Sequence, residues 1–174
     1  IRTDSTEVMT PPALVGKMLD KLPVGVWSSK DKTFCDPTCG RGTFLFGIVK
    51  RLWDGLTDVI PDETERAKSI VSRVHGADIS LVQHERLKAL FSLLFSRFGI
   101  EQESFRLYNV DSLEHDFVVK FDVVVGNPPY NPTIKKIGKG SGSGNKIWHK
   151  FVEKTFDQLI KPDGHVLMVT PSKW

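Results

Sequence analysis

Phe121-Asp122-Val123-Val124-Val125-Gly126-Asn127-Pro128-Pro129-Tyr130 is the stretch on which the reading of this chain turns. Phe121–Val125, apolar but for Asp122, is a run of strand length, as expected of a strand in the middle of a parallel sheet. The run passes directly through Gly126 into Asn-Pro-Pro-Tyr. Two consecutive prolines fix the backbone and remove two N–H donors, so carbonyl oxygens are left to accept hydrogen bonds from a ligand. Asn127 adds a side-chain acceptor at the end of the buried strand, and Tyr130 adds a flat face beside it. Two acceptors and an aromatic plate suit a planar group that carries an NH2. The competing explanation is a turn made of turn-forming residues.

Outward from this stretch, strands alternate with helices. Lys32–Cys35 reads as a short strand, and Phe44, Leu45, Ile48, Val49 and Leu52 form the apolar face of the helix that follows. Val74–Ala77 and Phe105–Tyr108 are two more strands, and His165–Val169 is a fifth after the turn Pro162-Asp163-Gly164. An early helix has Thr10 as its cap, Pro11 at its first position and Pro23 as its stop. Asp62–Arg73, polar on most faces, is an extra helix. Ser80 and Gln83 make a capping-box pattern before a helix carried by Leu87, Leu90, Phe91 and Leu94 and closed by Gly99. Ile147, Trp148, Phe151, Val152, Thr155 and Leu159 mark the last helix. This alternation implies a parallel α/β sheet with right-handed crossovers.

In such sheets, ligands bind beyond the carboxyl ends of the strands. Four of the five expected strands carry a polar motif there: Asp36–Gly42, Asp78, Asp111 and Asn127–Tyr130. In Asp36-Pro37-Thr38-Cys39-Gly40-Arg41-Gly42, the glycines let backbone approach a ligand closely. No Gly-Lys-Ser/Thr follows, which excludes a Walker A loop. Leu45 stands where a dinucleotide fingerprint would have its third glycine. Asp78 can accept both hydroxyls of a ribose, and Asp111 can accept from an adenine amino group. On spacing alone, a plain tight turn, a helix-start acid and an ordinary turn residue stay open for these three features.

At 174 residues, the chain fits one domain spanning 1–174. Its 40% hydrophobic and 26% charged residues are ordinary for a soluble globular protein, and no apolar run approaches a membrane span. A net charge of +3 is too mild to argue for nucleic acid by itself. Its distribution says more: Asn131–Lys150 holds Lys135, Lys136, Lys139, Lys146 and Lys150 and no acid. This Lys/Gly/Ser loop directly follows the Asn-Pro-Pro-Tyr motif, which places it to meet phosphates, although a solvated surface loop remains the alternative. Cys35 and Cys39 cannot build a disulfide scaffold, and no Cys or His pair is placed to complete a metal site, so no metal is expected. Both are read as reduced thiols in a cytoplasmic protein. His75, His84 and His115 read as surface or helix residues, and Trp27 and Trp53 as packing groups. The start at Ile1 and the stop at Trp174 suggest a piece of a longer protein.

Taken together, these motifs resemble the N6-adenine DNA methyltransferases that use S-adenosylmethionine (SAM), in the gamma order of segments. Thr10-Pro11-Pro12 is similar to the methionine-binding segment that precedes the glycine turn in that group. Asp36–Gly42 resembles its cofactor loop, Asp78-Ile79 its ribose and adenine contact, and Asp111 its adenine-binding acid. Phe151 resembles an aromatic bordering the cofactor adenine, Asn127–Tyr130 the catalytic motif, and Pro171–Trp174 the strand end that follows. The resemblance implies a Rossmann-like SAM-dependent methyltransferase fold with helices on both faces of the sheet, incomplete at its C-terminal end. It implies catalytic roles for Asn127, Pro128, Pro129 and Tyr130. It implies cofactor contacts from Thr10, Pro11, Asp36, Pro37, Cys39, Gly40, Gly42, Asp78, Ile79, Asp111, Ser112, Asn127 and Phe151, and DNA contacts from Lys135, Lys136, Lys139 and Lys146. The implied partners are double-stranded DNA with a flipped adenine and a restriction or specificity subunit or domain. Departures from the family pattern are five strands in place of seven, the missing second base-stacking aromatic and target-recognition domain, and the added helix at Asp62–Arg73. Other readings are methylation of a protein glutamine or an RNA guanine, or a non-catalytic fragment that binds SAM or DNA.

Overall fold

The computed structural model of the chain describes residues 9–130 and 147–172. Five parallel strands, β1 (Phe34–Asp36), β2 (Val74–Asp78), β3 (Arg106–Asn109), β4 (Phe121–Gly126) and β5 (Ile160–Met168), lie in the order β3-β2-β1-β4-β5. All six residues of β4 are buried. A strand covered on both faces and paired on both edges favours apolar side chains, and the one exception, Asp122, is buried with Lys32, Thr33 and Lys161 as its partners.

Helices α1 (Pro12–Leu19), α2 (Gly25–Ser28), α3 (Thr43–Gly55), α4 (Glu63–Arg73) and α5 (Leu81–Phe95) pack their apolar residues on one face of the sheet. α6 (Trp148–Lys154) continues into a π turn over Thr155–Leu159, and Leu159 with Phe117 covers the other face against Cys35, Phe121 and Val124. Burial of each such side chain contributes about 1.5–3 kcal/mol relative to exposure. α3 buries Phe44, Leu45, Ile48, Val49 and Leu52, the stripe expected from its spacing. The extra helix α4 is capped by Asp62, whose carboxylate accepts from Glu65 N at 2.8 Å. It buries Ala67, Ile70 and Val71 and lays the Arg66 guanidinium 4.4 Å from the Trp53 ring centre of α3.

Several details depart from expectation. α1 begins at Pro12 rather than Pro11, and its cap position is Pro11, with no side-chain cap. Thr10 is buried and turned to another use. On α5 the buried positions are Leu87, Phe91 and Phe95, while Leu90 and Leu94 are exposed. The Phe rings of 91, 95 and 105 form one cluster that selects that face. β5 absorbs the Pro-Asp-Gly turn as a bulge: Ile160 pairs with Phe121, and His165 with Val123. His75 is a core residue, 8% exposed, with Nδ1 3.1 Å from the Tyr108 hydroxyl and its ring edge-on to Phe121. Among the described residues, no helix is long and apolar enough to cross a membrane.

Candidate active site

The chain runs outward from β1 to β3 and then returns to place β4 on the opposite side of β1. The ends of β1 and β4 therefore flank the point where strand order reverses, which is where open α/β sheets bind ligands. A cleft opens there. Its walls bring together Thr10, Asp36, Cys39, Gly40 and Asn127 from the sequence-predicted set, with Thr38, Arg41 and Phe44 beside them.

The β1–α3 turn has a fixed shape. Gly40 and Gly42 have φ of +47° and +81°, in the left-handed region that favours glycine. A Cβ on Gly42 would also stand 2.4 Å from Leu87 Cδ1. Asp36 is 1% exposed, and its Oδ1 accepts from Thr38 N at 3.0 Å. Burial pushes the Asp36 carboxyl up to about 7; the Thr38 N–H opposes this and the Asp78 charge reinforces it. Burial likewise raises the thiols of Cys35 and Cys39 well above the ordinary range, keeping both protonated.

The turn is tied to the ends of the neighbouring strands. Gly40 N donates to Asp78 Oδ2 at 2.9 Å, and Ser80 N to Asp78 Oδ1 at 2.7 Å. Asn109 at the end of β3 donates to the carbonyls of Asp78 and Ile79, at 3.0 and 3.1 Å. The buried Ser112 hydroxyl donates to Pro37 O at 2.6 Å, so it braces the turn. Ile79 is 65% exposed beyond β2. Asp111 lies two residues past the end of β3, exposed, with Oδ1 accepting from Leu113 N. Phe151 is buried in α6. Pro128 is buried, Pro129 exposed and Tyr130 half-buried, and Tyr130 O accepts from Ile147 N at 3.1 Å. Pro11, Pro37, Gly42, Asp78, Ile79, Asp111, Ser112, Phe151 and the Pro128–Tyr130 segment are not among the residues lining the cleft. Lys135, Lys136, Lys139 and Lys146 lie outside the described residues.

Three contributors escape a reading of the sequence. Thr38 closes the Asp36 carboxylate on itself, a role signalled by its place two residues after an acid. Asn109 carries a similar signal, an amide at a strand end. Gly126 has none in sequence; only the packing shows why it has no side chain. Among the described residues, no cluster of three or more His, Cys, Asp or Glu side chains is placed to hold a metal.

Residues 62–174 match the model of the Eco57I restriction-modification methylase family. The chain belongs to that family. It is 28% identical to an uncharacterized adenine-specific methylase of Mycoplasma pneumoniae over 97% of this chain and 55% of that protein. The M protein of the type I restriction enzyme EcoKI shares the fold, with a TM-score of 0.67 at 15% identity over 97% of this chain and 35% of that one. The methyltransferase subunit of a type I restriction-modification system from Streptococcus thermophilus does so with a TM-score of 0.63 at 20% identity, over 93% of this chain and 34% of that one. The chain spans 55% or less of the curated relatives it matches.

Proposed function

We propose that this family member carries the cofactor-binding and catalytic part of an enzyme that transfers a methyl group from SAM to the exocyclic N6 of adenine in DNA. It would serve a restriction-modification or similar DNA-modification system. The observation that carries this reading is that Asn127, at the end of β4, shares one cleft with the Asp36 turn at the end of β1. A cofactor turn and an acceptor for an amino group thus meet at the strand-order reversal.

The residues present fit SAM. Its ammonium and sulfonium are both cationic, and the cleft holds a buried carboxyl whose ionised form lacks compensating positive charge. Thr10, Asp36, Cys39 and the Gly40–Gly42 backbone hold the cofactor in this reading. Asp78, Ile79, Asp111 and Phe151 lie toward its ribose and adenine, and Pro11, Pro37 and Ser112 support the surrounding backbone. Bound SAM supplies an electrophilic methyl group for direct transfer.

The target adenine must leave the duplex to reach such a site. Tyr130 stacks on the flipped base, worth about 1–3 kcal/mol for a base–aromatic contact. The Asn127 side-chain oxygen and the Pro128 carbonyl accept from the exocyclic amine and aim its lone pair. Pro129 holds the backbone so that the carbonyl stays turned to the base. Positioning supplies most of the rate. Lys135, Lys136, Lys139 and Lys146 neutralise phosphates around the site, and a restriction or specificity subunit or domain completes the assembly.

The test is transfer from methyl-labelled SAM to duplex DNA by the intact protein, followed by nucleoside analysis. N6-methyldeoxyadenosine is expected, lost in Asn127→Ala with SAM binding retained. Label in protein glutamine or RNA guanine instead, or SAM binding without any transfer, overturns the reading.

A further inference from the structure

We propose that Gly126 is a positioning residue for methyl transfer: by carrying no side chain, it lets the strand end that bears Asn127 close on Asp36 and Thr38 of the cofactor turn. The inference rests on the functional reading above and adds a residue to it. A Cβ at position 126 would stand 3.1 Å from Asp36 Oδ1 and 3.1 Å from Thr38 Oγ1. Gly126 is not among the glycines with positive φ. Its backbone therefore accommodates other residues, and what a side chain meets is close packing: Asp36 and Thr38 would have to give by a few tenths of an ångström.

Neither side of this contact can yield freely. Gly126 O accepts from Val169 N at 2.9 Å, and β4 is clamped between β1 and β5. On the other side, Asp36 Oδ1 is the atom that accepts from Thr38 N, so displacing it opens the turn. Asn127 follows Gly126 directly. Beyond the β1–β4 ladder, the approach of the group that binds the amine to the turn that binds the cofactor is thus tightest at this point. Each ligand keeps its own partners if the gap widens; what suffers is their mutual alignment, where an error of about 1 Å can cost on the order of a hundredfold in rate.

The experiment is Gly126→Ala in the intact protein, with steady-state methylation of DNA and equilibrium binding of SAM. The kcat is expected to fall at least about tenfold while the SAM Kd and the KM for DNA each stay within about threefold. In a Thr38→Ala background, which removes one of the two opposing atoms, the same substitution should reduce kcat several-fold less. If Gly126→Ala alone does not fold, the Thr38→Ala pair is compared instead, with a kcat-selective loss still expected. Unchanged kcat, or SAM affinity falling in step with kcat, overturns the proposal while leaving the functional reading intact. A wild type that transfers no methyl group to adenine overturns both.

Discussion

The backbone N–H of Gly40 donates to Asp78 Oδ2 at 2.9 Å, across two strand ends that the chain separates by 38 positions. The other oxygen of the same carboxylate accepts from Ser80 N at 2.7 Å. One side chain therefore sets both the β1–α3 turn and the start of α5. Asp78→Asn replaces one acceptor with an NH2 that faces an N–H, and Asp78→Ala removes both acceptors. Stability should fall by about 1–2 kcal/mol in the alanine variant, because two donors lose partners at a half-buried site. SAM affinity, measured by calorimetric titration, should weaken at least about tenfold in both variants. Unaltered affinity in Asp78→Ala would detach β2 from the cofactor site.

Ser112 should behave differently. Its hydroxyl is buried on Pro37 O at 2.6 Å, and the residue does not line the cleft. Ser112→Ala leaves a buried carbonyl unpaired and should lower stability by about 1–3 kcal/mol. Saturating SAM should still bind with the wild-type enthalpy if the hydroxyl only braces the turn. A large change in binding enthalpy with unchanged stability would make Ser112 a direct cofactor ligand.

The alternation of strands and helices is legible in the sequence because each strand is short, apolar and bounded by a turn signal, and the β4 run can sit only inside a sheet. The polar residues at the strand ends are legible for the same reason: parallel topology puts all carboxyl ends on one edge. What a sequence cannot show is which group holds which. Asp78 reads as a ligand acid in isolation, and only the fold shows that its carboxylate also holds Gly40 and Ser80. His75 sits in a strand of ordinary composition, and only the Phe117–Phe121 cluster and Tyr108 make that face a core. Thr10 reads as a cap from its position before proline, but Pro11 takes the cap position and frees Thr10 for the cleft.

The lysines of Asn131–Lys150 predict an electrostatic signature. Each lysine–phosphate pairing removed flattens the slope of log K against log salt by about 0.9. Lys135→Gln, Lys136→Gln and Lys139→Gln together should flatten that slope by about 2–3 if all three meet the backbone, with little change in which DNA sequence is preferred. Fluorescence anisotropy of a labelled duplex across a salt series measures it. An unaltered slope assigns these lysines to solvent.

Asp36 makes stability and pH interact in a direction unusual for a carboxylate. Its folded value of about 7 lies above the ordinary 3.8, so between about pH 4 and pH 7 the folded state holds a proton that the unfolded chain has released. Stability attributable to this group is therefore complete below about pH 4 and declines as pH rises through about 7, with a slope of up to about 1.4 kcal/mol per pH unit. His75 works against this trend: burial and then Arg106 lower it from 6.5 to about 4, so its contribution falls as pH drops through that interval. The Asp122 carboxyl adds a similar fall at lower pH. Burial pushes it up, but hydrogen bonds from Lys161, Thr33 and Lys32 outweigh that and hold it well below the ordinary range. Asp36→Asn leaves those two groups in place, so the difference between variant and wild type isolates Asp36. Urea unfolding from pH 4 to 8 should show the asparagine variant gaining on the wild type as pH rises from about 4 to about 7, with the difference levelling off above that. Its SAM affinity should fall, because the amide offers no charge to the cofactor cations. A difference curve that is flat across this range would mean that Asp36 is ionised in the folded protein throughout.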